Sequence, residues 1–357
     1  MYKFSEYVSP GHPDKVADYI SEYILDRYIE KDPETRYAVE VMIKGDMVNL
    51  AGEISSKAYF GYVDHKRFVQ EALREIGYTE EYAEAWGGNV INPSEINLNE
   101  DFTMQSPEIS QGVNKDGWGD QGIFFGFADP NGDKYMMPKS HSLAKSLCHM
   151  LYKQAKDKGI GGIDIKTEVI LKEGGLIEKI IAAVPCRSEE EHDKIIKSIR
   201  EWYDKVEADS ECYPNIILNG TGNYTQHGPL VDCGVTGRKL VVDFYGGEFQ
   251  VGGGSPWTKD KTKADLTLNL YARRLALLYA TQRKEPVKVS IACCIGQDII
   301  DVSIDNLQGE NIETYRDSLS PSGLAAFMGL NKPIFASMCT FGLFGEFQKD
   351  KEWEKVY

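Results

Sequence analysis

Tyr37–Ile54 reads YAVEVMI, then Lys44-Gly45-Asp46, then MVNLAGEI. Two apolar-alternating runs separated by a glycine-containing turn predict a β-hairpin. Upstream, Val16, Ile20, Tyr23, Ile24 and Tyr28 recur at helical spacing and predict an amphipathic helix near 14–28. Downstream, Phe68, Val69, Ala72, Leu73 and Ile76 predict another near 65–76. The order helix, hairpin, helix then returns twice. It comes back as helix 140–156, hairpin KTEVILK–EGG–LIEKIIAAV and helix 189–204, the last with Ile195, Ile196, Ile199 and Trp202 on one face. It returns again as helix 264–281, hairpin VKVSIACCI–GQD–IIDVSI and a weaker helix near 311–318. Apolar runs at Gly122–Ala128 and Leu240–Phe244 predict strands ahead of two leading helices.

This pattern predicts an α/β fold of the α+β type, built from three pseudo-repeated β-α-β-β-α-β units. The expected boundaries are residues 1–100, 119–230 and 231–357, with the units intertwined and a gate loop at 101–118. Helices would cover one face of each sheet. The other faces would need burial against each other or a second chain, which predicts a homodimer. Asn92 to Gln121 is rich in Asn, Ser, Gly and Asp and reads as an irregular segment, in its sharper form an active-site lid.

The chain has 357 residues, ordinary globular composition and a net charge of −15, which argues against nucleic acid as the main partner. No apolar run is long enough to cross a bilayer. The first residues, MYKFSEYVSPGHPDK, lack a secretion signal. Seven cysteines with no C-x-x-C pair read as thiols of a reducing cytoplasm.

Against this acidic background Asp232–Asp265, DCGVTGRKLVVDFYGGEFQVGGGSPWTKDKTKAD, stands out. Its glycines let backbone N–H groups approach an anion, and Arg238, Lys239, Lys259, Lys261 and Lys263 supply positive charge. Acids among these bases suggest a metal held against the same anion, so a polyphosphate with a divalent cation is one reading. A flexible loop flanked by surface charge is the other. Gly11-His12-Pro13-Asp14-Lys15 favours the first, because Pro13 puts His12 and Asp14 at a helix N-terminus, where anions bind. His12 can donate there to a phosphate or bridging oxygen, and Asp14 can hold Mg²⁺; as a cap and a helix-dipole partner they have a simpler explanation too. No G-x-x-x-x-G-K-[ST] occurs. Gly117-Trp-Gly119-Asp-Gln-Gly122 precedes a strand instead of linking strand to helix, the wrong context for a dinucleotide site.

Together GHPDK at 11–15, GEIS at 52–55, QSPEISQGV at 105–113, GDQGIFFGFA at 119–128, DIKTEV at 164–169, DCGVTGRK at 232–239 and GGG-SPWTKDKTKAD at 252–265 resemble the methionine adenosyltransferases (S-adenosylmethionine synthetases), in the family's order. The resemblance implies a triplicated fold and synthesis of S-adenosylmethionine from ATP and L-methionine. Hydrolysis of the released tripolyphosphate to phosphate and diphosphate would follow. Active sites would lie between the subunits of a homodimer, with a dimer of dimers left open. It also implies catalytic roles for His12, Lys166 and Arg238. ATP contacts would come from these three and from Asp164, Tyr224, Asp232, Lys239, Ser255, Lys259 and Lys263. Methionine would be held by Glu53, Gln105, Asp120, Asp232 and Lys263. Two Mg²⁺ per site would use Asp14 and Asp265, and K⁺ would use Glu40.

The chain departs from the family pattern in three places. Asn219-Gly-Thr-Gly-Asn223-Tyr224 stands where Asn-Pro-Thr-Gly-Arg-Phe is usual, Phe341-Gly-Leu343-Phe344-Gly where Tyr-Gly-His-Phe-Gly is common, and Trp118 is inserted near the end of the gate. Two rival readings remain testable at this point. A different ATP-dependent transferase or ligase would release ADP or AMP, and a nucleotide-sensing protein would bind ATP without turnover.

Overall fold

The computed structural model describes residues 2–104, 116–208 and 213–356. The first unit runs β1 (Lys3–Val8), α1 (Pro13–Lys31), β2 (Arg36–Lys44), β3 (Met47–Ser55), α2 (Tyr62–Ile76), a short α3 (Glu80–Ala85) and β4 (Asn97–Thr103). The second runs β5 (Gly122–Ala128), α4 (Lys139–Lys158), β6 (Lys166–Leu171), β7 (Ile177–Ala183), α5 (Glu189–Val206) and β8 (Asn215–Leu218). The third runs β9 (Gly234–Val235), α6 (Leu240–Asp243), α7 (Ala264–Arg283), β10 (Val287–Cys293), β11 (Ile299–Asn306), β12 (Asn311–Ser318), α8 (Pro321–Phe327) and α9 (Phe335–Cys339).

These strands form three four-stranded sheets with orders β4-β3-β2-β9, β1-β6-β7-β8 and β12-β11-β10-β5. Each sheet takes its hairpin from one unit and a fourth strand from another. β1 precedes α1 but pairs with β6; β5 precedes α4 but pairs with β10; β9 precedes α7 but pairs with β2. The exchange is cyclic, so no sheet is complete without a neighbouring unit. In the first two units the closing strand runs parallel to its partner, β4 to β3 and β8 to β7. A parallel return needs a crossover, which α2 and α5 provide.

Three sequence expectations give way here. The helix near 311–318 is the strand β12, antiparallel to β11 and joined to it by a short turn that leaves no room for a crossover helix. A register shift between Ile304 and Asp305 breaks the two-residue period and leaves the half-buried Ile312 and Tyr315 three apart, which mimics helical spacing. Leu240–Phe244, expected as a strand, forms α6: Asp243 N–H donates to Lys239 O at 3.0 Å and Phe244 N–H to Leu240 O at 3.0 Å. Periodicity cannot separate strand from helix in so short an apolar run. The irregular reading of 92–121 misses β4, whose Asn, Glu and Asp residues disguise a strand with only Leu98 fully buried. Residues 105–115, the middle of the expected gate at 101–118, lie outside the described residues.

Two glycines bring layers into contact. A Cβ at Gly126 would stand 2.0 Å from Ala272 O, so α7 lies directly on β5. One at Gly234 would stand 2.0 Å from Pro13 O, which sets β9 against the start of α1. α1 is buried on nearly every side, with Ile20, Ile24 and Leu25 in the core beside Asp14, Asp18, Glu22 and Asp26. No described helix is long and apolar enough to cross a membrane.

Candidate active site

His12 is the N-cap of α1, and its Nδ1 accepts the Asp14 N–H at 3.2 Å. A ring accepting at Nδ1 carries its proton on Nε2 when neutral. Burial, aided by the Lys239 ammonium, lowers its pKa to about 4, so His12 is a neutral donor at physiological pH. Asp14 Oδ1 accepts Val235 N–H at 3.0 Å, and its Oδ2 meets Lys239 Nζ at 2.7 Å with Arg238 Nε 3.7 Å from Oδ1. Burial would raise the Asp14 pKa, but Lys239 and the Val235 N–H outweigh it and hold the carboxylate below its usual range. Asp164 is lifted to about 7, chiefly by burial, with Asp232 and Asp14 adding to the rise and the Gly228 N–H, 2.8 Å from Oδ2, opposing it. Tyr224 lies close enough to Asp164 to be raised by its charge in addition to burial. Lys166, at the start of β6, is half-exposed and pairs with Glu6 at 2.9 Å. Its charge also reaches His12. Ser255 lies against Gly237.

A second group forms around the start of α7. Lys259 Nζ lies 2.5 Å from Asp265 Oδ2, whose Oδ1 accepts Gly254 N–H at 2.7 Å. Lys263 is the N-cap of α7. Cys293 Sγ donates to Asp120 O at 3.4 Å, and burial, with the charges of Asp120 and Asp265 adding, pushes its thiol up to about 12. Glu53 pairs in register with Ala38, which bridges to Lys259 on the other side. Glu40 stands between the groups: its carboxylate accepts Thr236 Oγ1 from one loop and Thr258 Oγ1, at 3.1 Å, from the other.

The structure therefore gathers His12, Asp14, Lys166, Asp164, Tyr224, Asp232, Arg238, Lys239 and Ser255 on one side. It gathers Lys259, Lys263, Asp265, Asp120 and Glu53 on the other. No recorded hydrogen bond or ion pair joins a side chain of one group to a side chain of the other, and Glu40 alone accepts from both loops. Gln105 lies outside the described residues.

The sequence matches the S-adenosylmethionine synthetase N-terminal domain over residues 1–106, the central domain over 115–224 and the C-terminal domain over 226–355. The chain belongs to the S-adenosylmethionine synthetase family. It is 30% identical to an S-adenosylmethionine synthase of Brachyspira hyodysenteriae across 99% of this chain and 96% of that protein. It is 33% identical to one of Kosmotoga olearia across 99% and 95%. An unusual S-adenosylmethionine synthetase of Campylobacter jejuni superposes with a TM-score of 0.84 at 30% identity, covering 99% of this chain and 96% of that one. The enzyme is thus a methionine adenosyltransferase with the mixed α/β fold of that family.

Its departures from the family pattern are accommodated locally. Asn223 accepts from Cys186 Sγ at 3.0 Å and donates to Glu189 at 2.7 Å, so it is tied to the start of α5. Leu343 is buried, and its N–H donates to Asp243 O at 2.9 Å in the core. Trp118 is buried with its backbone bonded to Gly296 and Gln297 in the β10–β11 turn.

The sequence reading passed over Lys15 and Asp243. Lys15 Nζ lies 2.7 Å from Asp243 Oδ1 and 3.1 Å from Asp18 Oδ2, and the Trp257 indole donates to Asp243 at 2.8 Å. This buried network ties α6, and the Arg238-Lys239 pair just before it, to α1. The signal for this network in the sequence is the lysine that follows Asp14 in Gly11-His12-Pro13-Asp14-Lys15.

The donor set also bears on metal binding. Among the described residues no three His, Cys, Asp or Glu side chains converge as a cage. Asp14 and Asp265 instead present single carboxylates beside cations, which suits Mg²⁺ that takes its other ligands from phosphate and water. Glu40 with two threonine hydroxyls offers the all-oxygen surroundings that suit K⁺.

Proposed function

We propose that the enzyme makes S-adenosylmethionine by attack of the methionine sulfur on C5′ of ATP and then hydrolyses the bound tripolyphosphate to phosphate and diphosphate. A thioether sulfur has no proton to lose, so the reaction needs no general base. The barrier lies in expelling a multiply charged leaving group, and preorganised donors lower it where that charge appears. The observation that carries this reading is His12, neutral with its Nε2 proton free of Asp14, set at a helix N-terminus among Lys239, Arg238 and Lys166.

In this reading His12 donates to the oxygen leaving C5′. Lys166, Arg238, Lys239, Lys259 and Lys263 surround the phosphates with Ser255, while Asp164 and Tyr224 hold the nucleoside. Glu53, Gln105, Asp120, Asp232 and Lys263 orient methionine. Asp14 and Asp265 would hold Mg²⁺ and Glu40 K⁺, and these cations would supply further positive charge to the phosphate oxygens.

The two groups of side chains favour a homodimer in which the first group of one subunit faces the second group of its partner. The sheet faces away from the helices also carry exposed apolar side chains: Met42 and Met47, Phe4, and Ile123. A cytoplasmic location fits the free cysteines.

Incubation with ATP, methionine, Mg²⁺ and K⁺ tests the reaction. A sulfonium product with phosphate and diphosphate is expected, and ADP or AMP as the nucleotide product would overturn it.

A further inference from the structure

The acids of α1 recur every fourth residue: Asp14, Asp18, Glu22 and Asp26. That spacing keeps them along one helix face, and all four are buried. Each accepts a backbone N–H from a segment more than two hundred residues away. Asp14 takes Val235 at 3.0 Å, Asp18 takes Gly237 at 2.8 Å, Glu22 takes Thr258, and Asp26 takes Phe335 and Ala336, both at 3.0 Å. The middle two acceptors act immediately before the cations assigned to phosphate. Gly237 precedes Arg238-Lys239, and Thr258 precedes Lys259.

Thr258 is the sharper case. Its φ of 71° lies in the left-handed region that few non-glycine residues enter. It is fully buried and held at three atoms: N–H to Glu22, carbonyl to the Val39 N–H at 3.1 Å, and Oγ1 to Glu40 at 3.1 Å. Where the backbone leaves that turn decides where Lys259 points.

We propose that Asp18 and Glu22 are positioning residues for the reaction, fixing through Gly237 and Thr258 the two loops that present Arg238-Lys239 and Lys259 to the tripolyphosphate. Neither touches substrate, and the proposal rests on the reading of those cations as phosphate ligands. Lys15 balances the charge of Asp18 at 3.1 Å. Among the described residues Glu22 makes no ion pair, and burial holds its carboxyl well above the usual range. A neutral amide of the same shape is therefore a close substitute at Glu22, whereas an apolar side chain leaves the Thr258 N–H without an acceptor.

The test is a double-mutant cycle on the full-length enzyme, read by titration calorimetry with inorganic tripolyphosphate and Mg²⁺ and by methionine KM. Glu22→Gln should bind tripolyphosphate within about twofold of wild type, and Glu22→Met should bind about tenfold more weakly with methionine KM little changed. Combining Glu22→Met with Lys259→Met should cost little beyond Lys259→Met alone, because both remove one interaction. Additive losses, or a Glu22→Met enzyme that is less stable yet binds tripolyphosphate normally, overturn the proposal. If Lys259→Met itself binds normally, the assignment of Lys259 to phosphate fails instead, and the Asp18 arm decides. There Asp18→Asn, which keeps an acceptor for Gly237, and Asp18→Ala are compared with Arg238→Leu in the same titration, as they are if Glu22→Met does not fold. Equal binding by the two Asp18 variants counts against the proposal, and selective loss in Asp18→Ala supports it.

Discussion

At the scale of single residues the chemistry depends on protonation states that the fold imposes. His12 gives one nitrogen to the Asp14 N–H, which leaves the other free for the proposed contact with the leaving oxygen, and its lowered pKa keeps it neutral. His12→Asn should reduce sulfonium formation by about 10²–10³ while ATP binding changes far less, since a donor aimed at the leaving oxygen matters most once charge develops there. Rapid-quench kinetics beside equilibrium ATP titration would show whether the two losses separate. Away from the site, His141 is fully buried beside Ser5, and burial with Lys145 lowers its pKa from 6.5 to about 3. Between those values the unfolded chain binds a proton that the folded one refuses. Stability is therefore full above about pH 6.5 and is lost as pH falls toward 3. At about 1.4 kcal/mol per tenfold change in proton affinity the loss is at most about 5 kcal/mol. Thermal melts from pH 7.5 to 5 should fall more steeply for wild type than for His141→Gln; parallel curves would contradict the assignment.

At the scale of elements, close packing delivers the charged groups. α7 carries Lys263 at its N-cap and Asp265 in its first turn, and it reaches β5 only because residue 126 has no side chain. Gly126→Ala should destabilise the protein by about 1–3 kcal/mol, the usual cost of forcing atoms into a packed layer. It should also weaken catalysis by displacing Asp265, and denaturant unfolding with steady-state assays would measure both. Replacing Lys15 by Met strands two buried carboxylates and should cost about 3–5 kcal/mol. Much of this level was legible in the sequence: period-two and period-3.6 patterns marked the three hairpins and the five long helices. β12 escaped because its register shift spaces Ile312 and Tyr315 like a helix, and β4 because Asn and Asp do not advertise a strand. Asp18, Glu22 and Asp26 of α1 escaped for another reason. Their four-residue spacing was visible, but their partners are backbone groups, which no side-chain pattern reveals.

At the scale of the whole molecule, the cyclic strand exchange leaves no sheet complete without a neighbouring unit, while the candidate site side chains fall into two groups. If the partner subunit completes each site, breaking the dimer should abolish turnover without unfolding the subunit. Met42→Lys combined with Ile123→Lys, on sheet faces already exposed to water, should give a folded monomer with little sulfonium synthesis. Analytical ultracentrifugation and circular dichroism would establish the state, and a fully active monomer would refute the shared site.

The sequence by itself determined the repeating helices and hairpins, the helix start at Pro13 that seats His12 and Asp14, and the family to which the chain belongs. These rest on local periodicity and contiguous motifs, which neighbouring residues suffice to specify. Only the tertiary structure decided which strand completes which sheet, that α1 lies buried with four acids bonded to distant N–H groups, and that the phosphate-facing candidates divide between two clusters. Those features come from contacts between residues far apart in the chain, where burial and unpaired backbone groups choose partners that local spacing does not encode.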